Sequence, residues 1–304
     1  MFHLTLPLAQ VCIWWPGVIS LGLLIGFLTG MFGVGGGFLL TPFLNIFFRI
    51  PYPIAVGSGL AQIFVTGAAS AWKHWRNCNV DPLLGIIMAG GALGGTEIGV
   101  RILKQLCFGG SISINGRSLP FQDILLSAMF LILMILVAVC IFKESAANDS
   151  EEAVSRIAEN LQSCSICPKI AFPRSGIGSI SLWIPLFLSF LVGILTGFLG
   201  VGGGFIAFPL LVYVLGVPTV IAVGTSAFQI LFSTGYGALR HAGLGHVELT
   251  LVGLLLIGSL IGVQLGVYAT KFLGGRKIRK YFIDVIGLGI LVILWDLVDK
   301  ILLK

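Results

Sequence analysis

The sequence contains the segment GMFGVGGGFLLTP at residues 30–42 and a second version of it, GFLGVGGGFIAFP, at residues 197–209. Glycine is poorly suited to a helix interior, where it costs about 1 kcal/mol relative to alanine. Three consecutive glycines inside a long apolar stretch therefore predict unwound backbone that interrupts a helix. The apolar runs that follow, 38–50 and 205–217, are too short to cross a bilayer comfortably. We interpret each run as the second part of a broken helix.

The composition around these segments is that of a membrane protein. Of the 304 residues, 57% are hydrophobic and only 10% are charged, and the mean hydropathy is +1.06. An ordinary soluble domain has about 25% charged residues. The 18 basic and 12 acidic side chains could not cover the surface of a soluble core of this size. The composition therefore excludes a soluble fold and predicts an all-α integral membrane protein, multi-pass in the cell (inner or plasma) membrane.

The two halves of the sequence are related by an internal repeat. An offset of 167 residues aligns 26–81 with 193–248 without a gap, and 22 of the 56 aligned positions are identical. We therefore expect a first membrane repeat over 1–142 and a second over 180–304. The polar segment 143–179 between them is expected to be a linker that contains a short surface helix.

The relative orientation of the repeats depends on how often each half crosses the membrane. An odd number of crossings inverts the second repeat, and an even number leaves it parallel to the first. The equivalent loops 101–117 and 271–280 are both basic, which favours parallel repeats because basic loops prefer the cytoplasm. Broken helices are, however, typical of transporters with inverted repeats, and on that ground we favour the inverted arrangement.

Each glycine cluster is a candidate anion site. The helix that resumes after the cluster begins with N–H groups that have no acceptor within the helix, and the helix dipole favours negative charge there. The alternative is that the glycines only allow close helix packing, as we expect for those spaced by four residues at Gly91, Gly95 and Gly99.

Hydroxyl and carboxamide side chains recur close to both clusters. Ser58 with Gln62, and Thr225 with Gln229, are spaced i,i+4, so each pair lies on one helical face. Such groups can donate to an oxyanion, or they can join helices by hydrogen bonds. The predicted substrate-binding residues are Gly35, Gly36, Gly37, Phe38, Ser58, Gln62, Gly202, Gly203, Gly204, Phe205, Thr225 and Gln229.

Glu97 is the deepest carboxylate in the predicted spans, and Arg101 stands one turn later on the same face. An ionisable residue inside a span is a candidate for substrate or proton coupling. The alternative is an ion pair near the helix end, since the equivalent position is Gln264 and the pair is not repeated.

Other classes of function find little support. The pair Cys164 and Cys167 is half of a metal or redox motif, and a complete site needs four ligands. We therefore predict no metal, no cofactor and no enzymatic activity, because the sequence has no catalytic grouping. No basic run with interleaved aromatic residues indicates a nucleic-acid partner. The expected partners are a small anion and the lipid bilayer, and a homodimer stays open.

The two glycine segments, GMFGVGGGFLLTP and GFLGVGGGFIAFP, resemble those of the TauE/SafE family of membrane proteins. The resemblance covers essentially the whole chain except 143–179. It implies transport, usually outward, of sulfur-containing anions such as sulfite, sulfoacetate or related sulfonates. The alternatives are an anion channel, or a membrane-embedded sensor or assembly partner that uses 143–179 for interaction.

Overall fold

The computed structural model describes residues 3–106, 111–114, 117–147 and 167–298. Within these ranges the chain is built mainly of helices, with short two-stranded hairpins. The helices of the first half are α1 Trp15–Phe32, α2 Gly37–Phe48, α3 Tyr52–Arg76, α4 Pro82–Leu106 and α5 Phe121–Ala147. The helices of the second half are α6 Trp183–Leu199, α7 Gly204–Val214, α8 Thr219–Gly243, α9 Leu249–Thr270 and α10 Gly275–Val298. The last five residues of α7, Leu210–Val214, form a π-helical turn.

The helices confirm the prediction of an all-α integral membrane protein. In the described part of the chain, α1, α3, α4, α9 and α10 are long and apolar enough to cross a bilayer. The short apolar helices α2 and α7 each follow a glycine cluster, as the sequence predicted for the second parts of broken helices.

Antiparallel hairpins precede the first helix of each half. Strands β1 His3–Leu6 and β2 Val11–Trp14 lead into α1, and β5 Lys169–Phe172 and β6 Ile177–Ser181 lead into α6. A further hairpin, β3 Ser111–Ile114 with β4 Arg117–Pro120, lies between α4 and α5.

The sequence did not predict these strands. Val11 to Trp14 belongs to an apolar run that periodicity alone cannot distinguish from a helix. Pro16 lies in the first turn of α1, where proline is favoured, and it cannot donate to a strand ladder. The surface helix expected in the linker, around 154–161, lies outside the described residues.

Helices of opposite halves pack closely along rows of glycines spaced by four residues, which we call glycine seams. Along α1, a Cβ added at Gly22, Gly26 or Gly30 would collide with main-chain atoms of α9, at positions that advance from Leu255 to Val263. Glycines of α4 meet α6 in the same way, with Gly91, Gly95 and Gly99 against main-chain atoms around Leu186, Phe190 and Ile194. In both seams the contact positions advance together along the two chains, so the paired helices run parallel.

The equivalent helices α3 and α8 instead pack antiparallel. A Cβ on Gly57, near the start of α3, would lie 3.1 Å from the Cβ of His241, near the end of α8. A Cβ on Gly224, near the start of α8, would lie 3.2 Å from the Cβ of His74, near the end of α3. The two helices, which correspond at the 167-residue offset, therefore run in opposite directions.

Candidate functional site

Both glycine clusters are left-handed breaks between helices. Gly33 ends α1 with φ +65° and its N–H donates to Thr29 O at 2.9 Å, and Gly36 precedes α2 with φ +66°. Gly200 and Gly203 repeat this geometry in the second half with φ +70° and +80°. Only glycine adopts such angles without strain. The predicted helix breaks are therefore present in both halves.

The two breaks meet each other in the protein interior. A Cβ on Gly37 would stand 2.6 Å from the carbonyl oxygen of Val201, and one on Gly204 would stand 2.6 Å from that of Val34. The rings of Phe38 and Phe205, one residue further along, stack with centroids 4.5 Å apart and both are fully buried. The halves thus bring the two predicted anion sites to one buried place.

The resumed helices begin at this place with N–H groups that have no acceptor within the helix. In α2 the first capping bonds to Gly36 O come from the N–H groups of Leu39 and Leu40, both at 3.2 Å. The N–H groups of Gly37 and Phe38 come earlier and have no acceptor within the helix. Helix α7 has the same arrangement after Gly203. Two helix N-termini therefore direct partial positive charge into one interior region.

The two predicted glutamines are fully buried and incompletely paired. Neither Gln229 Oε1 nor Gln229 Nε2 has a hydrogen-bond partner among the described residues. Gln229 Nε2 lies 3.9 Å from the position that a Cβ on Gly203 would occupy, so it adjoins the second break. Gln62 Nε2 makes a long 3.4 Å bond to Thr66 Oγ1, and Gln62 Oε1 has no partner in the described part of the chain.

The two predicted hydroxyls lie towards opposite ends of the bundle. Ser58 Oγ accepts the N–H of Glu248 at 2.9 Å, and Thr225 Oγ1 accepts the N–H of Asp81 at 3.0 Å. In the antiparallel register of α3 and α8, Thr225 lies level with Lys73 of α3, because Gly224 is beside His74. Ser58 and Thr225 are therefore separated by about 15 helical residues, or roughly 22 Å along the axis. The structure thus groups the glycine breaks with Gln229 and places the hydroxyls on either side of them.

Two isoleucines, which the sequence did not indicate, contact both glycine loops. Ile63 Cγ2 lies 2.8 Å from the Cβ position of Gly35 and 3.2 Å from that of Gly202, so it touches both loops. Ile230 contacts Gly35 and Gly204 in the same manner, and both isoleucines are fully buried. Both side chains therefore pack against the first and the second break. The available signal was their identity at the 167-residue offset, directly after the paired glutamines.

Glu97 joins two helices through its carboxylate. Its Oε1 accepts Arg101 Nε at 2.8 Å, which is the i,i+4 pair on α4. Its Oε2 accepts Arg240 Nε at 2.7 Å and the Tyr236 hydroxyl at 2.9 Å, both from α8. The expected ion pair near the helix end is therefore present and is extended across the interface between α4 and α8.

The histidines at the ends of α3 and α8 also face inward. The rings of His74 and His241 are buried, and each Nε2 lies 3.2 Å from a carbonyl oxygen of another helix, Gly30 O of α1 and Gly197 O of α6 respectively. Each histidine therefore joins its own helix to a helix of the same half.

The fold and the buried breaks define a polytopic helical membrane protein with equivalent elements in its two halves. Residues 18–293 match the model of the family described as sulfite exporter TauE/SafE. The chain belongs to this family, and it is a membrane transporter.

Relatives from bacteria and an archaeon agree with this class. The chain is 27% identical to the probable membrane transporter protein YunE of Bacillus subtilis over 256 residues, which cover 82% of this chain and 86% of the relative. It is 27% identical to a probable membrane transporter protein of Xylella fastidiosa, with 90% and 93% covered. It is 22% identical to the probable membrane transporter protein MJ0441 of Methanocaldococcus jannaschii, with 90% and 92% covered. No solved structure matches the chain.

Proposed function

We propose that the protein is a secondary transporter that exports a small sulfur-containing anion, such as sulfite, sulfoacetate or a related sulfonate, across the cell membrane. The family described as sulfite exporters supports the substrate class. The paired helix N-termini at the glycine breaks support an anion, because both direct N–H groups and partial positive charge to one buried place.

In this proposal the oxyanion is held by uncharged donors. Backbone N–H groups within Gly35–Phe38 and Gly202–Phe205 bind its oxygens, and the carboxamides of Gln62 and Gln229 add side-chain donors. Uncharged donors suit a transporter, since a lysine or arginine at this depth would be costly to bury. They would also release the anion more readily than a permanent positive charge.

The observation on which the proposal chiefly rests is the unpaired carboxamide of Gln229 beside Gly203. A buried polar group without a partner costs about 1–3 kcal/mol. That cost is explained if the carboxamide donates to a polar ligand during the transport cycle, at the same place where the N–H groups of α7 begin.

The closed site favours a transporter over the alternative of an open anion channel. Ile63 and Ile230 are fully buried and contact both loops, so we expect them to close the path between the two sides. A change of conformation is needed to admit the anion, as in alternating access. Ser58 and Thr225, on opposite sides of the breaks, would bind the anion as it approaches or leaves.

We assign Glu97 a structural role in preference to proton coupling. Two guanidinium groups and one phenol already occupy its carboxylate oxygens, and none of the predicted donors is among its partners. A coupling residue would be expected to contact the substrate site or to exchange its partners during transport.

A flux assay in proteoliposomes tests the proposed function. Sulfite, thiosulfate, sulfonates, carboxylates and chloride are compared with and without proton and sodium gradients. We expect the sulfur oxyanions to be transported preferentially and to respond to one of the gradients. Transport of carboxylates but not of sulfur oxyanions would overturn the substrate class, and equal flux without any gradient would favour the channel.

A further inference from the structure

Two buried acids outside the predicted site occupy equivalent positions in the two halves. Asp81 precedes α4 and Glu248 precedes α9, and the two are 167 residues apart, the offset of the repeat. Asp81 is 3% exposed and Glu248 is 5% exposed. The two residues are both acidic but of different types.

Each acid is bonded to one of the predicted site hydroxyls through its main chain. The Asp81 N–H donates to Thr225 Oγ1 at 3.0 Å, and the Glu248 N–H donates to Ser58 Oγ at 2.9 Å. Each hydroxyl uses one lone pair for this bond and keeps its own proton to donate. The main chain at residues 81 and 248 therefore orients the two hydroxyls.

Each acid is also bonded to the turn of a hairpin through its side chain. The first hairpin, residues 3–14, donates the N–H of Leu8 to Glu248 Oε2 at 2.7 Å. The second hairpin, residues 169–181, donates the Ser175 hydroxyl to Asp81 Oδ2 at 2.7 Å. Leu8 and Ser175 are themselves 167 residues apart, so the two contacts are equivalent.

The two hairpins lie at opposite ends of the bundle. Ser58 is near the start of α3 and Thr225 is near the start of α8. Because α3 and α8 are antiparallel, these two starts are at opposite ends, and the acids and hairpins bonded to them are too.

We propose that the hairpins are lids over the two ends of the substrate path, and that Asp81 and Glu248 are positioning residues that hold each lid closed. Each hairpin packs apolar side chains into the core, such as Ile13 of the first and Phe172 of the second, and Arg174 of the second also donates to Val80 O at 3.2 Å. The bonds to the acids add to this packing, so their loss raises the fraction of time for which the hairpin is open.

Release of the second hairpin from Asp81 opens the path to Thr225, and release of the first hairpin from Glu248 opens the path to Ser58. The statement that an anion uses this path rests on the proposed function. The statement that each hairpin closes one end of the bundle does not.

Thiol labelling from the two sides of the membrane tests the lids. The six native cysteines are replaced, and Ser58→Cys or Thr225→Cys is introduced as a probe in oriented proteoliposomes. A membrane-impermeant thiol reagent is added to one side at a time. Ser175→Ala removes one hydrogen bond to a carboxylate, so we expect labelling of Thr225→Cys to become about tenfold faster from the side of the second hairpin. Labelling of Ser58→Cys should not change.

Three further variants separate a lid from general loosening. Glu248→Ala should accelerate labelling of Ser58→Cys from the opposite side only, and Glu248→Gln, which keeps an acceptor oxygen, should restore slow labelling. Ser179→Ala, an exposed serine on the second hairpin, is the matched control and should leave both probes unchanged.

Accelerated labelling at both probes, or at neither, would overturn the proposal. No anion is used in this assay, so its failure leaves the proposed transport activity standing. Conversely, a flux assay without sulfur-oxyanion transport would not affect the side-specific labelling.

Discussion

The buried carboxamide of Gln229 is expected to lower the stability of the protein while it serves to bind the anion. Both polar atoms of its carboxamide are buried and without partners in the described part of the chain. Leucine has a similar size and needs no hydrogen bonds. We therefore expect Gln229→Leu to raise the free energy of unfolding by about 1–2 kcal/mol while it lowers affinity for the transported anion at least tenfold. Thermal unfolding in detergent and anion binding by the purified protein measure the two effects.

Gln264→Leu is the matched control for this substitution. Gln264 is exposed on α9, so its replacement should change neither stability nor affinity appreciably. If Gln229→Leu binds the anion as well as the native protein does, Gln229 does not belong to the site, whatever happens to stability.

At the scale of elements, the seams between α1 and α9 and between α4 and α6 depend on the absence of side chains. A Cβ on Gly262 would collide with the Leu23 carbonyl of α1, whereas a Cβ on Gly253 of the same helix would meet no atom within 4 Å. We expect Gly262→Ala to destabilise the protein by about 1–3 kcal/mol, because the helices must move apart. Gly253→Ala should be neutral or slightly stabilising, since alanine favours the helix.

Thermal unfolding of both variants measures the difference. Equal unfolding temperatures for Gly262→Ala and Gly253→Ala would mean that α1 and α9 do not pack through this seam. The comparison keeps the helix, the residue types and the added methyl group constant, so only the contact with α1 differs.

The helix breaks were predictable from the sequence, whereas the hairpins were not. Three adjacent glycines change the local backbone directly, because only glycine takes left-handed angles freely. Val11 to Trp14 has no such local signal, and its strand forms where the preceding segment folds back to pair with it. Elements that depend on a partner strand are harder to predict than elements determined within a few residues.

For the whole molecule, Ile63 and Ile230 come from different halves and each contacts both glycine loops, so we expect them to form the barrier to the anion. We expect Ile63→Ala or Ile230→Ala to open a leak, so that anion flux without a driving gradient rises about tenfold. Loss of a buried isoleucine side chain also costs about 2–5 kcal/mol, so flux is measured per folded protein, as determined by size-exclusion chromatography.

Ile257→Ala serves as the control for the leak. Ile257 is 56% exposed on α9, away from the loops, and its replacement should leave the gradient dependence intact. If the two buried variants transport only with a gradient, as the native protein does, the isoleucines are not the barrier and the closed state depends on other groups.

The amino-acid sequence alone determined the membrane class, the repeat and the two helix breaks with their N–H donors. These follow from composition and from backbone preferences that act over a few residues. Only the tertiary structure decided that Gln229 adjoins Gly203, that Ser58 and Thr225 lie on opposite sides of the breaks, and that buried acids tie them to the hairpins. The physical reason is that these contacts join residues far apart in the chain. Their positions depend on the antiparallel register of α3 and α8 and on the parallel glycine seams, which no local pattern specifies.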